Sequence, residues 1–178
     1  MKVGIVVGSI RDGRAGKGIA DWVYEIAKER DDAEYELIDL KEFNVPLLTS
    51  GTHPMAAKRT YESEQVQAWS KAIDACDAYV FVTPEYNHGV PGALKNAVDS
   101  LGEEWVGKTI AFVGYGSVGG VRAIENWRTV VANFSMVDIR TEVNISTFTD
   151  FKEGRFTPSE RRPDEVSAMF DALVKAAG

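Results

Sequence analysis

Ala78-Tyr79-Val80-Phe81-Val82-Thr83-Pro84 leads into Glu85-Tyr86-Asn87-His88-Gly89-Val90 and then into Pro91-Gly92-Ala93-Leu94-Lys95-Asn96-Ala97. The first stretch is an almost unbroken apolar, β-branched and aromatic run, which predicts a strand over Ala78 to Thr83 covered on both faces. Pro84 ends it, because proline has no N–H for a ladder. Pro91 suits the first turn of a helix, where a missing N–H does no harm, and Ala93, Leu94, Ala97, Val98 and Leu101 continue that helix toward Gly102. Buried strand, loop, amphipathic helix is the first half of a βαβ unit, and the same succession appears on either side.

Toward the N-terminus, Val3 to Val7 forms a short β-branched run stopped by Gly8-Ser9, and Ile19, Ala20, Trp22, Val23, Ile26 and Ala27 recur at helical spacing. Tyr35 to Leu40 alternates as a strand, Leu47 to Met55 reads as loop, and Val66, Trp69, Ile73 and Cys76 fit one helix face. Toward the C-terminus come a strand at Thr109 to Val113, a glycine loop at Gly114 to Gly120, and a helix at Val121 to Phe134. A last strand at Val137 to Ile145 and a polar loop precede a helix at Asp164 to Ala177, with Val166, Met169, Phe170, Leu173 and Val174 on one side. Alternating strands and helices imply right-handed crossovers and a mainly parallel sheet between two helical layers. The expectation is an α/β fold, a flavodoxin-like three-layer sandwich with a five-stranded parallel sheet in the order 2-1-3-4-5, a Rossmann order remaining open.

With 178 residues, 44% of them hydrophobic and 26% charged, the chain is read as one domain over residues 1–178. A formal charge of -7 disfavours nucleic acid and anionic membrane surfaces as partners, since both need a basic face. A small ligand fits better. The single cysteine, Cys76, has no second thiol for a disulfide or a zinc cluster, which suits a reducing compartment and a core position. Met1 to Ile10 is too short to span a bilayer, and the expected location is cytoplasmic.

In parallel sheets of this kind, ligands sit beyond the carboxyl ends of the strands, where three unusual loops fall. The first, Gly8 to Gly18, combines glycines, the Ser9 hydroxyl, the cations Arg11, Arg14 and Lys17, and a helix start; these suit a phosphate monoester. It lacks the nucleotide P-loop pattern and a clean dinucleotide fingerprint, which argues against ATP or NAD as its resident ligand. Asp39 stands near where a Rossmann acid would hold a ribose, but without the glycine pattern it is read as a strand-end or cap residue. The second loop, Thr83 to Gly92, offers what an isoalloxazine ring needs: Tyr86 as a flat aromatic face, Asn87 as donor and acceptor, and prolines that limit motion. Glu85 and His88 read equally well as surface residues, and Lys95 as part of a helix face. The third loop, Gly114-Tyr115-Gly116-Ser117-Val118-Gly119-Gly120, is weak by itself, since turns after strands are often glycine-rich.

Gly8-Ser9-Ile10-Arg11, Pro84-Glu85-Tyr86-Asn87 and Pro91-Gly92-Ala93-Leu94-Lys95-Asn96-Ala97 together resemble the NADPH-dependent FMN reductase family, which includes quinone, azo-dye and chromate reductases. The resemblance extends over most of the chain in element order, with its diagnostic motifs before Asp99. It implies FMN as the bound cofactor, NADPH or NADH as reductant, and a homodimer or homotetramer. It implies that Ser9, Arg11 and the backbone from Arg14 through Gly16, Lys17 and Gly18 to Ile19 hold the phosphate. Pro84, Glu85, Tyr86 and Asn87 would line the ring, and Gly116, Ser117 and Gly119 would approach it. Many members have serine and asparagine where this chain has Arg14 and Gly16; Arg14 either supplies a charge-assisted phosphate contact or turns outward toward an NADP phosphate.

The reaction so implied is ping-pong exchange through FMN to a small-molecule electron acceptor: a quinone, an azo compound, free flavin or a metal oxyanion. Neither a catalytic side chain nor a metal ligand is assigned, because the flavin carries the chemistry. A non-enzymatic electron carrier of the flavodoxin type is the alternative, and a flavin-dependent regulator a third reading. Trp69, Trp105 and Trp127 suit either a core or a subunit interface, the core having precedence.

Overall fold

Every residue of the run at 78–84 is buried, and it forms the central strand of the sheet. The computed structural model describes residues Met1–Gly178. Its elements are β1 (Lys2–Val7), α1 (Ala15–Ala27), β2 (Glu34–Asp39), the short α2 (Leu40–Phe43), a 3-10 turn at Pro54–Ala56, α3 (Glu64–Asp74) and β3 (Ala78–Pro84). After these come α4 (Gly92–Asp99), β4 (Thr109–Gly116), α5 (Val121–Ala132), β5 (Val137–Ser146), β6 (Phe151–Lys152), β7 (Arg155–Phe156) and α6 (Arg162–Ala177). The five-stranded sheet runs β2-β1-β3-β4-β5 with every pair parallel, the flavodoxin-like order. The strand order reverses beside β1, so the ends of β1 and β3 flank the crevice where such sheets take ligands.

Two apolar layers cover the sheet. One face packs Val3, Ile5 and Val7 with Val80 and Val82 against Ile19 and Val23 of α1 and Phe170 of α6. The other packs Val6, Phe81 and Phe112 against Trp69 of α3, Leu94 of α4 and Trp127 of α5. Phe81 stands at the centre of the second layer, with edge-on contacts to Trp105, Phe112 and Trp127 at 5.8, 6.2 and 5.5 Å. Trp69, Trp105 and Trp127 are fully buried, so the core reading holds for all three. Their indole N–H groups are satisfied by Ala97 O, Val98 O and Thr83 Oγ1. Cys76 is buried too, and burial pushes its thiol up to about 11, which leaves it protonated and unreactive.

Several boundaries differ from those the sequence predicts. β4 continues through Gly114, Tyr115 and Gly116 because β3 and β5 supply ladder partners on both sides, pairing Thr83 and Pro84 with Gly114 and Tyr115, and Gly116 with Ser146. Only Ser117 to Gly120 is then loop. Pro91 caps α4 instead of lying inside its first turn, and the last helix begins at Arg162. The polar segment before it carries the β6–β7 hairpin.

That segment is fixed by a buried ion pair. Arg162 donates from Nε and Nη2 to the two Asp150 oxygens at 3.0 and 2.8 Å, and Asp150 also accepts from Ser146 N, Ser159 N and Thr149 Oγ1. Burial by itself would raise the Asp150 carboxyl, but the donors from Arg162, Ser159 and Thr149 hold it well below the usual carboxylate range. No helix is long and apolar enough to cross a membrane.

Candidate functional site

The parallel register brings the ends of β1, β3 and β4 side by side, and with them all three loops. Gly8 N–H continues the ladder to Val82 O at 2.9 Å, and Glu85 N–H reaches Tyr115 O at 3.1 Å. Beyond these backbone ties, Ser9 Oγ and Tyr86 Oη lie 2.9 Å apart, joining the first loop to the second. The Arg11 guanidinium stands 5.9 Å from the centroid of the Tyr86 ring.

In the first loop, Ser9 is buried while Ile10, Arg11 and Asp12 are exposed. Arg14 holds the N-cap position of α1 but makes no side-chain cap, and the first turn contains no acid. The N–H groups of that turn therefore present uncompensated positive dipole toward the loop. Arg14 itself turns inward. Its two Nη atoms reach Asp39 Oδ1 and Oδ2 at 2.7 and 2.5 Å, and Nη1 also donates to the Ser9 carbonyl. Its guanidinium is thus turned away from open solvent and committed to Asp39 and the Ser9 carbonyl. Lys17 pairs with Asp21 one turn on, and the Ile19 side chain belongs to the core. Gly16 is there for close approach: a Cβ would lie 2.3 Å from Tyr115 Oη.

The second loop is tighter than its composition suggests. Tyr86 and Gly89 form a backbone bridge, with Tyr86 N–H to Gly89 O at 3.1 Å and Gly89 N–H to Tyr86 O at 3.0 Å. Asn87 and His88 between them have φ of 50 and 66, the positive pair that a type I′ turn requires. Tyr86 is thereby held at the base of a rigid two-residue hairpin. Glu85 points away from this turn. Its carboxylate accepts from Arg122 N at 3.0 Å and pairs with Arg122 Nη1 at 2.6 Å, capping α5, whose own N-cap is a glycine. Burial opposes ionisation of Glu85, but the Arg122 and Ala123 donors outweigh it and lower the carboxyl.

The third loop closes the group. Gly116 O accepts from Gly119 N and Thr147 N, and Ser117 O accepts from Ser146 Oγ at 3.1 Å. Gly119 faces β5, where a Cβ would come within 2.7 Å of Asn144 Cβ, so packing alone explains a glycine there. Of the sequence-predicted residues, Ser9, Arg11, Pro84, Tyr86, Asn87, Gly116 and Ser117 thus share one edge with the start of α1. The side chains of Glu85, Lys17 and Ile19 are turned to other tasks.

Three residues to which the sequence assigns no site role join the site's construction, Asp39 among them although it reads there as a strand-end or cap residue. Tyr115 sits over Gly16, and burial pushes its phenol up, with Ser9 hydrogen bonding partly opposing it. Asp39 caps α2 through Lys41 N–H at 3.1 Å, as its position suggests, but also takes Arg14. Asn96 donates to Pro46 O at 2.8 Å and accepts from Leu48 N at 2.9 Å, tying the segment after β2 to α4. The motif 91–97 signals Asn96; nothing nearby in sequence signals the other two as partners.

The donors at this edge suit a flavin monophosphate. A hydroxyl, a guanidinium with no carboxylate partner and an uncapped helix start are what a dianionic phosphate requires, and Tyr86 adds an aromatic surface one hydrogen bond away. A second cleft of about 240 Å³ lies elsewhere, beside Leu47, Tyr61, Val66 and Ser100, and includes none of the three loops.

A family model described as NADPH-dependent FMN reductase matches residues 1–150. The NAD(P)H-dependent FMN reductase ntnL of Nectria sp is 39% identical over 126 residues, covering 68% of this chain and 63% of the relative. The chain therefore spans less than two thirds of that protein's length. The NAD(P)H-dependent FMN reductase LOT6 of Saccharomyces cerevisiae is 34% identical over 145 residues, covering 76% of each. Among solved structures, FerB, a flavoenzyme NAD(P)H:(acceptor) oxidoreductase from Paracoccus denitrificans, superposes with a TM-score of 0.74 at 23% identity, covering 99% of this chain and 96% of that one. At that identity the likeness speaks to the fold alone.

Proposed function

This chain belongs to the NADPH-dependent FMN reductase family, and we propose that it is itself an enzyme, an FMN-dependent NAD(P)H oxidoreductase whose single domain over residues 1–178 binds the flavin at the shared edge. The observation that best supports this reading is the 2.9 Å contact between Ser9 and Tyr86, which joins the loop read as phosphate-binding to the loop read as ring-lining. Ser9, Arg11 and the backbone of α1's first turn, including Gly16 and Gly18, hold the phosphate. Pro84, Tyr86 and Asn87 line the ring, with Glu85 contributing through its backbone. Gly116, Ser117 and the peptide near Gly119 approach from the β4 side.

Bound FMN would supply two-electron redox chemistry between NADPH or NADH and a quinone, azo compound, free flavin or metal oxyanion. The order is ping-pong, with oxidised nicotinamide leaving before the acceptor enters the same space. The side chains bind, orient and exclude water; none is assigned as an acid or base. The working form is a homodimer or homotetramer in the cytoplasm.

Purified protein should be yellow, and anaerobic NADPH or NADH should bleach it within a stopped-flow trace. Colourless protein that FMN does not reconstitute sinks the proposal. Protein that binds FMN but is not reduced by either nicotinamide is an electron carrier instead. Arg11→Ala should weaken FMN by ~1.5 to 3 kcal/mol, roughly tenfold or more, through the lost charge-assisted contact, and Ser9→Ala should weaken it by less. An unchanged dissociation constant for both removes the phosphate from this loop.

A further inference from the structure

Asp39 ends β2 and reaches the first loop through one side chain, that of Arg14. Both Asp39 oxygens take guanidinium nitrogens, the same Arg14 Nη1 also binds the Ser9 carbonyl, and the Ser9 hydroxyl meets Tyr86. A continuous series of contacts thus runs from the second strand to the ring-lining turn. The Arg14 and Asp39 side chains are only 12% and 6% exposed. Arg11, on the same loop, is exposed, with its guanidinium 5.9 Å from the centroid of the Tyr86 ring.

We propose that Asp39 is a positioning residue for FMN: it holds Arg14 as a strut that fixes Ser9, and Arg14 shapes the phosphate loop without itself meeting the phosphate. The inference rests on the FMN reading above and adds to it a residue that contacts no flavin. Leaving Asp39 to reach a ligand would strand a buried carboxylate with only the Lys41 N–H for company. Staying keeps a planar fork matched to two oxygens, a geometry that lysine does not reproduce. The phosphate charge then falls to Arg11 and to the backbone donors at the start of α1.

The two roles for Arg14 predict opposite signs. Asp39→Asn removes a negative charge close to an anionic ligand and loosens Arg14; a phosphate-binding Arg14 would then grip FMN more tightly. A strut would let the loop drift, and FMN would bind more weakly. The test titrates the full-length apoprotein with FMN and with riboflavin, following flavin fluorescence. Asp39→Asn and Arg14→Lys should each raise the Kd for FMN roughly tenfold, with a smaller rise for riboflavin, and the double variant should be no worse than the weaker single one.

Three results would overturn the proposal: FMN binding to Asp39→Asn that is unchanged or tighter, wild-type affinity in Arg14→Lys, or equal losses for FMN and riboflavin, which would mark a purely structural pair. Asp39→Ser also removes the charge and carries the same sign test if Asp39→Asn does not fold, Arg14→Lys serving only to check that the fork geometry is needed. Wild-type protein that binds no FMN overturns the flavin reading itself, an outcome distinct from all of these.

Discussion

Arg162 with Asp150 and Arg14 with Asp39 are both two-pronged pairs, the first through Nε and Nη2 and the second through the two Nη atoms, yet the two sit in different company. Asp150 is completely buried and accepts three further hydrogen bonds, two of them from backbone N–H groups on either side of the β6–β7 hairpin. Asp39 accepts one, from Lys41 N. A carboxylate with many donors fixes the path of the chain around it, whereas one with few transmits position from its arginine to whatever that arginine touches. At Arg162 the further contact is Glu165, within the same helix; at Arg14 it is the Ser9 carbonyl, on the loop assigned to the phosphate. Similar chemistry thus ties down the β6–β7 hairpin at one end and ties the end of β2 to the loop after β1 at the other.

The largest effect should come from the better-satisfied pair. Asp150→Ala removes the buried acid of the pair, leaving Arg162 only the half-buried Glu165, and should cost about 3 kcal/mol, read as a lower urea midpoint at unchanged m-value. Asp39→Ala should cost less, about 2 kcal/mol, in the same assay. If it costs as much as Asp150→Ala, the distinction between the pairs fails. Acid unfolding sharpens the contrast. Because the folded Asp150 carboxyl is lowered, its stabilisation is complete above the ordinary carboxylate range and drains away as pH falls below that range toward the folded value. Asp150→Asn should flatten the loss of stability with falling pH in that acid window, as followed by circular dichroism.

Gly16→Ala reaches the binding loop sterically, with both charges intact. Its Cβ would collide with Tyr115 Oη, and overpacking of this kind should cost about 1–2 kcal/mol of stability and weaken FMN; Tyr115→Phe in the same chain should recover part of both. No recovery would mean that the collision is relieved elsewhere. The smallest effect is a gain. His88→Gly relieves a left-handed non-glycine residue in a type I′ turn and should add up to about 1 kcal/mol, visible as a slightly higher Tm.

The fold could be read from the sequence where burial was two-sided. The runs at Val3, Ala78 and Thr109 are apolar without interruption, and they became the three inner strands. β4 outran its predicted end because glycine erases the apolar signal while leaving the backbone able to pair, and the neighbours' ladders are invisible locally. The site was readable in part for a related reason. Ser9, Tyr86 and Asn87 announce themselves by residue type within short motifs. Arg14 and Asp39 are 25 positions apart, and only the parallel pairing of β1 with β2 brings the loop after one to the end of the other. Glu85 showed the converse: its motif suggested a ligand contact, but the uncapped start of α5 claims its carboxylate. The tryptophans had two readings until packing chose one, since an indole serves a core or an interface equally well.

The bond from the Trp127 indole to Thr83 ties a solvent-excluded fluorophore to the last turn of backbone before the loop that bears Tyr86. Trp127 is one of four tryptophans, so in a chain with the other three replaced by phenylalanine its emission would serve as an unlabelled optical gauge of that strand end. Titrating any candidate small molecule against this emission would show whether events at the loop are felt inside the sheet.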